Sequence, residues 1–115
     1  MQVVEDYIAV WNETHPDRRR DLVRRVFAEE ATYVDAHRSG AGTAGIDEMI
    51  AAAQEQFPGH TIQLKSGPDS HNDRVRFAWT LHDPSGDPLA GGADFAKLAE
   101  DGRFSEVTGF PEPAA

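Results

Sequence analysis

The sequence predicts one α+β domain, with helices packed together on one face of an antiparallel sheet. Apolar residues first recur at spacings of three and four, as on one face of a helix, and beyond Gly59 they alternate, as in strands. The breaks between the alternating segments are short and rich in turn formers, which favours consecutive hairpins. Helices followed by strands are typical of α+β folds. A length of 115 residues suits a single core.

Three helices are predicted in the first half of the chain. The first spans residues 3–11, the second is capped by Thr14 and ends near Ala28, and the third runs from Thr43 to a stop at Pro58. The residues expected on their buried faces are Val3, Val4, Tyr7, Ile8, Trp11, Leu22, Val23, Val26, Phe27, Ile46, Met49, Ile50, Ala53 and Phe57.

The strands are predicted from β-prone or alternating segments between turn signals. A short strand at residues 31–35 is followed by a glycine-rich loop at 39–42. The later strands are expected around residues 62–64, 75–81, 89–98 and 103–110. Residues 111–115 contain two prolines and are predicted to fray, so that the domain covers residues 1–110.

Charge and composition exclude several classes of protein. The formal net charge is -9, so most of the surface repels phosphate backbones and anionic membranes, and neither nucleic acid nor membrane is expected as a partner. Five arginines recur at helical spacing alongside Asp17 and Asp21, a pattern typical of a solvated helix face; they are Arg18, Arg19, Arg20, Arg24 and Arg25. The start has no signal-peptide pattern, and no segment is apolar enough to span a membrane, so a cytoplasmic protein is expected.

Metal and thiol chemistry are not expected. The chain has no cysteine, which excludes disulfides, thiol nucleophiles and thiolate ligands. Its histidines lack paired helical spacing and an accompanying ligand cluster; they are His15, His37, His60, His71 and His82.

Asp94 is one of two acids that stand among apolar neighbours in a strand-like segment. Ala96 and Leu98 share its face of the strand, whereas Lys97 marks the opposite face as the wetter one. We therefore expect Asp94 to point inward, where burial raises the pKa of its carboxyl. A neutral carboxylic acid can then donate a hydrogen bond. The ordinary alternative is an ion pair with Arg76.

Asp35 is the second acid, at the end of a short strand and on the same face as Tyr33. A carboxylate at a strand end beside a cavity can act as a general base. His37, two residues further on, can orient it or titrate with it. The ordinary alternative is that Asp35 caps a turn.

Large side chains along the predicted inner faces either line a pocket for an apolar ligand or fill the core. Tyr7 belongs to this group, and its hydroxyl needs a partner when it is buried. The other candidates are Trp11, Phe27, Tyr33, Met49, Phe57, Phe77, Trp79 and Phe110.

Five segments together resemble a known superfamily. They are residues 7–12 (YIAVWN), 27–35 (FAEEATYVD), 42–46 (GTAGI), 57–60 (FPGH) and Asp94-Phe95 ahead of the turn at 100–103. Over nearly the whole chain, the sequence is similar to SnoaL-like members of the nuclear transport factor 2-like (NTF2-like) superfamily. The resemblance implies three helices around a curved antiparallel sheet with a pocket, a cystatin-like cone. It also implies a homodimer in which the outer sheet face can form the contact.

The site constellation resembles that of the ketosteroid isomerases. Tyr7 corresponds to the tyrosine donor in the first helix, Asp35 to the aspartate base and Asp94 to the neutral acid donor. The resemblance implies that Asp35 removes a proton next to a carbonyl while Tyr7 and Asp94 stabilise the enolate oxygen, without a cofactor. The ligand would be a small apolar compound that carries a carbonyl or an aromatic ring.

Two departures keep other interpretations open. The connection from Tyr7 to Asp35 is longer than in the isomerases, and Ala36-His37 replaces their proline-led loop. Resemblance to polyketide cyclases and scytalone dehydratase allows Asp35 to pair with His37 or His71 instead. Isomerisation, aldol cyclisation and dehydration are all compatible with the site. A non-catalytic binding or dimerisation module is the alternative, because one fold serves many functions.

Overall fold

The computed structural model describes residues 1–113, which form three helices and one six-stranded sheet. The helices are α1 (Gln2–Asn12), α2 (Pro16–Val26) and α3 (Gly42–Gln56). The strands are β1 (Phe27–Val34), β2 (Ser39–Ala41), β3 (Thr61–His71), β4 (Arg74–His82), β5 (Pro88–Leu98) and β6 (Phe104–Pro113). The predicted α+β class with a curved sheet is confirmed. No helix in this part of the chain is long and apolar enough to cross a membrane.

The strand order is β2-β1-β6-β5-β4-β3. The hairpins predicted after Gly59 are present, and each of those neighbouring strands is antiparallel to the next. The expectation of a wholly antiparallel sheet is wrong at one position, because β1 pairs in parallel with β6. This pairing brings the first strand of the chain beside the last, and so places the end of β1 next to the middle of β6.

The core lies between the helices and the inner face of the sheet. Tyr7 is its centre, with ring centroids 5.3 Å from Phe77, 5.6 Å from Phe104 and 5.9 Å from Phe27 in edge-to-face geometry. Valines and isoleucines of the predicted helix stripes, such as Val4 and Ile50, fill the space around these rings. The predicted inner faces of α1 and α3 thus pack on the core, although Val3, Ile8 and Trp11 are only partly buried and the fully buried Val10 was not predicted.

The structure corrects several predicted boundaries. Helix α2 is capped by His15 and not by Thr14, because the His15 side chain accepts from the backbone N–H of Arg18. Phe27 does not continue that helix: its extended backbone ends α2 and starts β1. Residues 39–41, predicted as loop, form β2, since they pair with residues 32–34 of β1.

Two further expectations fail. The predicted frayed tail begins too early, because residues 111–113 pair with β5 and extend β6; Ala114 and Ala115 lie outside the described residues. The arginine face of α2 is not wholly solvated. Arg19 is buried, where its Nε donates to Asp47 Oδ1 at 2.8 Å and its Nη1 to Gln54 Oε1 at 2.9 Å. Helical spacing alone cannot separate this buried arginine from its exposed neighbours.

Candidate active site

A cavity of about 530 Å³ opens between α1, α3 and the sheet. This volume falls within the usual range for a small-molecule site. All of the predicted catalytic residues line it: Tyr7, Asp35, His37 and Asp94. So do four of the predicted binding residues, namely Trp11, Tyr33, Phe57 and Trp79.

The remaining candidates lie elsewhere. Phe27 and Phe77 belong to the core rather than to the cavity wall. Met49 lines a second depression beside α3, and Phe110 lies exposed on the outer sheet face, with its ring centroid 5.7 Å from that of Phe95. Strand alternation explains why Phe110 points outward: its neighbour Gly109 occupies the inward position. His71, the alternative partner for Asp35, lies exposed beside the turn at Asn72 and does not line the cavity.

Asp35 follows the last residue of β1 and is held by donors from its own turn. The backbone N–H groups of His37 and Arg38 donate to its Oδ1 at 2.7 and 3.0 Å. The hydroxyl of Tyr33 donates to its Oδ2 at 2.6 Å. The turn-capping alternative is therefore present. The same geometry leaves Oδ2 with one accepted hydrogen bond, and Asp35 lines the cavity. A carboxylate oxygen has two lone-pair sites, so one remains for a proton of a bound molecule.

Asp94 lies inside β5, and only 3% of its surface is exposed. The prediction that it points inward is confirmed, and the predicted alternative of an ion pair with Arg76 is wrong, because Arg76 pairs with Asp69. Tyr7 donates its hydroxyl to Asp94 Oδ2 at 2.7 Å, and the Trp79 indole donates to Oδ1 at 3.0 Å.

The surroundings of Asp94 raise the pKa of its carboxyl. Burial is the largest effect and raises the pKa of the carboxyl to about 6, from an ordinary 3.8; the hydrogen bonds from Tyr7 and Trp79 oppose it, and the charge of Asp35 adds to the rise. Burial and the neighbouring Asp94 also raise the pKa of Tyr7 well above its usual value. The Tyr7 hydroxyl therefore keeps its proton and remains a donor.

Gly109 brings the two acids together. It is paired with Asp94 across β5 and β6. A Cβ at this position would lie 2.9 Å from Asp94 Oδ1, 3.1 Å from the Tyr33 hydroxyl oxygen and 3.2 Å from Asp35 Cβ. The three groups thus converge on a point that only glycine leaves free.

Sequence reasoning missed Gly109, Gln54 and Arg38. A glycine inside an alternating strand signals that another group approaches the backbone closely, so Gly109 had a usable signal. Gln54 donates to the carbonyl oxygens of Trp11 and Glu13 at 3.1 and 2.8 Å, which fixes the end of α1 against α3 beside the cavity. Arg38 and Gln54 had no signal in the sequence, because their positions depend on the packing of distant elements.

Within residues 1–113, no group of three or more His, Cys, Asp or Glu side chains is placed to hold a metal ion. The acids and donors of the cavity suit a different task. A hydrogen-bonded carboxylate and a second, partly neutral carboxyl beside one apolar space can accept and donate protons in the same bound molecule.

Three helices on a curved sheet, with polar groups converging in a pocket between them, define an NTF2-like fold. Solved structures support this class. An NTF2-like protein of unknown function from Exiguobacterium sp. 255-15 matches with a TM-score of 0.76 and 17% identity, over 97% of this chain and 99% of the other. A proposed SnoaL-like polyketide cyclase from Jannaschia sp. CCS1 matches with a TM-score of 0.72 and 19% identity, over 96% of this chain and 85% of the other.

A third structure shows the family. It is a proposed isomerase of the SnoaL-like family from Agrobacterium tumefaciens, which matches with a TM-score of 0.93 and 42% identity over 96% of this chain and 95% of the other. The chain therefore belongs to the SnoaL-like family of NTF2-like proteins. No family model matches the sequence, and no curated protein matches it.

Proposed function

We propose that this protein is an enzyme that catalyses cofactor-free proton transfer on a small carbonyl compound. The observation that carries the proposal is the convergence of Asp35 and Asp94 on Gly109 in one cavity, with different partners for each acid. Pairs of acids in contrasting environments are how one site runs acid and base chemistry at the same pH. Isomerisation, aldol-type cyclisation and dehydration all fit this chemistry.

Asp35 is the base in this proposal. It lines the cavity, its Oδ2 accepts only one hydrogen bond, and its contacts with the turn fix its orientation. Removal of a proton next to a carbonyl leaves negative charge on the carbonyl oxygen, which must be stabilised by a donor within hydrogen-bond distance.

Asp94 is the donor to that oxygen. Its pKa is raised to about 6, and a ligand that displaces water from the cavity increases its desolvation and raises the pKa further, toward neutral pH. Tyr7 supports this donor. Its hydroxyl donates to Asp94 Oδ2, so that it positions Asp94 beside the cavity that both residues line.

The names of two similar proteins agree with this class of chemistry. The Agrobacterium protein is described as a proposed isomerase of the SnoaL-like family, and the Jannaschia protein as a proposed SnoaL-like polyketide cyclase. His37 keeps an aspartate–histidine mechanism open, because it lines the cavity mouth next to Asp35.

The test is deuterium exchange from heavy water into the carbon next to the carbonyl, followed by NMR over a panel of small ketones and keto acids. Asp35→Asn should lower the exchange rate by about 10²- to 10⁴-fold, because it removes the base but keeps the volume. The amide oxygen can still accept from the turn, and the Tyr33 hydroxyl can rotate to accept from the amide nitrogen.

Asp69→Asn is the matched control, since Asp69 is an exposed acid that pairs with Arg76 away from the cavity. It should keep the parent rate. Equal rates in Asp35→Asn and the parent would remove Asp35 from the mechanism, and no exchange above buffer across the panel would favour a binding module.

A further inference from the structure

Arg38 is the arginine that lines the cavity, and the proposed mechanism does not use it. It lines both the cavity and the second depression beside α3, so it forms part of the wall between them. Its side chain is only 21% exposed. Its one charged contact among residues 1–113 joins Nε to Asp35 Oδ2 at 4.0 Å, beyond hydrogen-bond distance.

Other arginines with low exposure are fully engaged. Arg19, whose side chain is 7% exposed, donates to Asp47 and Gln54. Arg103, at 36%, donates to Asp101 and to the carbonyl oxygens of Arg24 and Phe27. Within the described part of the chain, no side-chain hydrogen bond is made by the Arg38 guanidinium. Its fork of donors is therefore available to a ligand at the cavity mouth.

The Arg38 guanidinium is a cation in largely acidic surroundings. The chain carries a net charge of -9, and the cavity is lined by Asp35, Asp94 and Glu112. Glu112 is exposed and so is screened by salt, while Asp35 already accepts three hydrogen bonds. A half-buried guanidinium favours a carboxylate because two parallel hydrogen bonds fit its planar fork.

We propose that the substrate carries a carboxylate, which Arg38 binds at the cavity mouth while the apolar framework enters the cavity. This inference rests on the proposed function, because it names the class of substrate for the same site. The substrate class becomes small carbonyl compounds with an anionic end. Arg38 would thereby set which way round the substrate lies, with its reacting carbon near Asp35.

The test compares 4-hydroxyphenylacetate with its neutral isostere 4-hydroxyphenylacetamide by isothermal titration calorimetry. The parent should bind the carboxylate about 10- to 100-fold more tightly, as expected for a charge-assisted pair. Arg38→Gln should abolish this preference, and Arg38→Lys should keep part of it, because lysine retains the charge without the fork. Arg74→Gln, which removes an exposed cation that pairs with Asp73, should leave the preference intact.

Two outcomes would overturn the inference. One is a carboxylate probe that binds the parent no better than the amide probe, including no binding by either. The other is a preference that survives Arg38→Gln, including an equal loss of affinity for both probes, which would mean that Arg38 only orients Asp35.

Binding separates this inference from the proposed function, since no turnover is needed. Asp35→Asn should still prefer the carboxylate even where deuterium exchange is lost. An Arg38-dependent preference without any deuterium exchange would refute the proposed enzyme and support the anion site. Exchange without a preference for the carboxylate would support the enzyme and refute the anion site.

Discussion

The two acids of the cavity are built from different parts of the chain. Asp35 is held mainly by its own segment: Tyr33 lies two residues before it, and the amides of His37 and Arg38 lie two and three residues after it. Asp94 is held by Tyr7, 87 residues away on α1, and by Trp79, 15 residues away on β4. One acid is organised by a turn and the other by the assembled fold.

This difference gives the two acids different surroundings. The donors of Asp35 include two backbone amides at fixed positions. The donors of Asp94 are two side chains on a buried strand, and there desolvation outweighs the hydrogen bonds. Replacement of Asp94 should therefore change the stability of the fold, whereas replacement of Asp35 should change the rate of the proposed reaction.

The largest effect should appear in the pH dependence of stability. The folded chain keeps the proton of Asp94 up to about pH 6, whereas the unfolded chain loses it near 3.8. Between these values the folded state binds more protons, so its stability falls as the pH rises. Relative to Asp94→Asn, the parent should lose up to about 3 kcal/mol across this window and then level off.

Urea unfolding of the parent and Asp94→Asn at a series of pH values measures this difference. Because both proteins carry the same other groups, their remaining titrations cancel to first order. Asp69→Asn, at an exposed ion pair, should not reproduce the trend. A difference between parent and Asp94→Asn that stays constant from pH 3.5 to 7 would contradict the raised pKa.

The second effect concerns the point where the two acid sites meet. Gly109→Ala would place a methyl group against Asp94, Tyr33 and Asp35 at once. Overpacking of this kind should cost about 1–3 kcal/mol, and it should also weaken any ligand that needs both acids. Thermal unfolding measures the loss of stability, and titration with a phenol measures the loss of ligand affinity.

Gly45→Ala is the matched control for this change. Gly45 lies in α3, and a Cβ there would meet nothing within 4 Å. It should be neutral or stabilise the protein by up to about 1 kcal/mol, because alanine is the better helix former. Equal behaviour of the two variants would mean that the acids do not approach Gly109.

The same contrast between local and long-range contacts sets what the sequence could predict. The helix stripes, the hairpins and the inward side of Asp94 follow from periodicity and from neighbours such as Lys97. The parallel pairing of β1 with β6 joins residues more than 70 positions apart, and no local pattern encodes it. Phe110 was misassigned because an aromatic residue in a strand can face either side.

The roles within the site divide in the same way. The two predicted catalytic aspartates and the Tyr7 phenol lie in one cavity, and a family resemblance supplied their long-range relation. What the resemblance could not supply was the direction of the hydrogen bonds: Tyr7 and Trp79 both donate to Asp94. Arg38 could not be identified from the sequence, because its exposure and partners depend on how α3 packs against the turn after β1.

The smallest effect should come from the weaker donor to Asp94. Trp79→Phe removes an indole hydrogen bond of 3.0 Å, which should cost about 1 kcal/mol and raise the pKa of Asp94 further, because that bond favours the charged form. Tyr7→Phe should raise it more, and Tyr33→Phe, which removes a donor to Asp35, should leave it in place. The carboxyl carbon shift of Asp94 in a ¹³C NMR titration, assigned with Asp94→Asn, gives each midpoint. A Tyr33→Phe shift as large as that of Trp79→Phe would show that the two acids titrate as one unit and not as separately built sites.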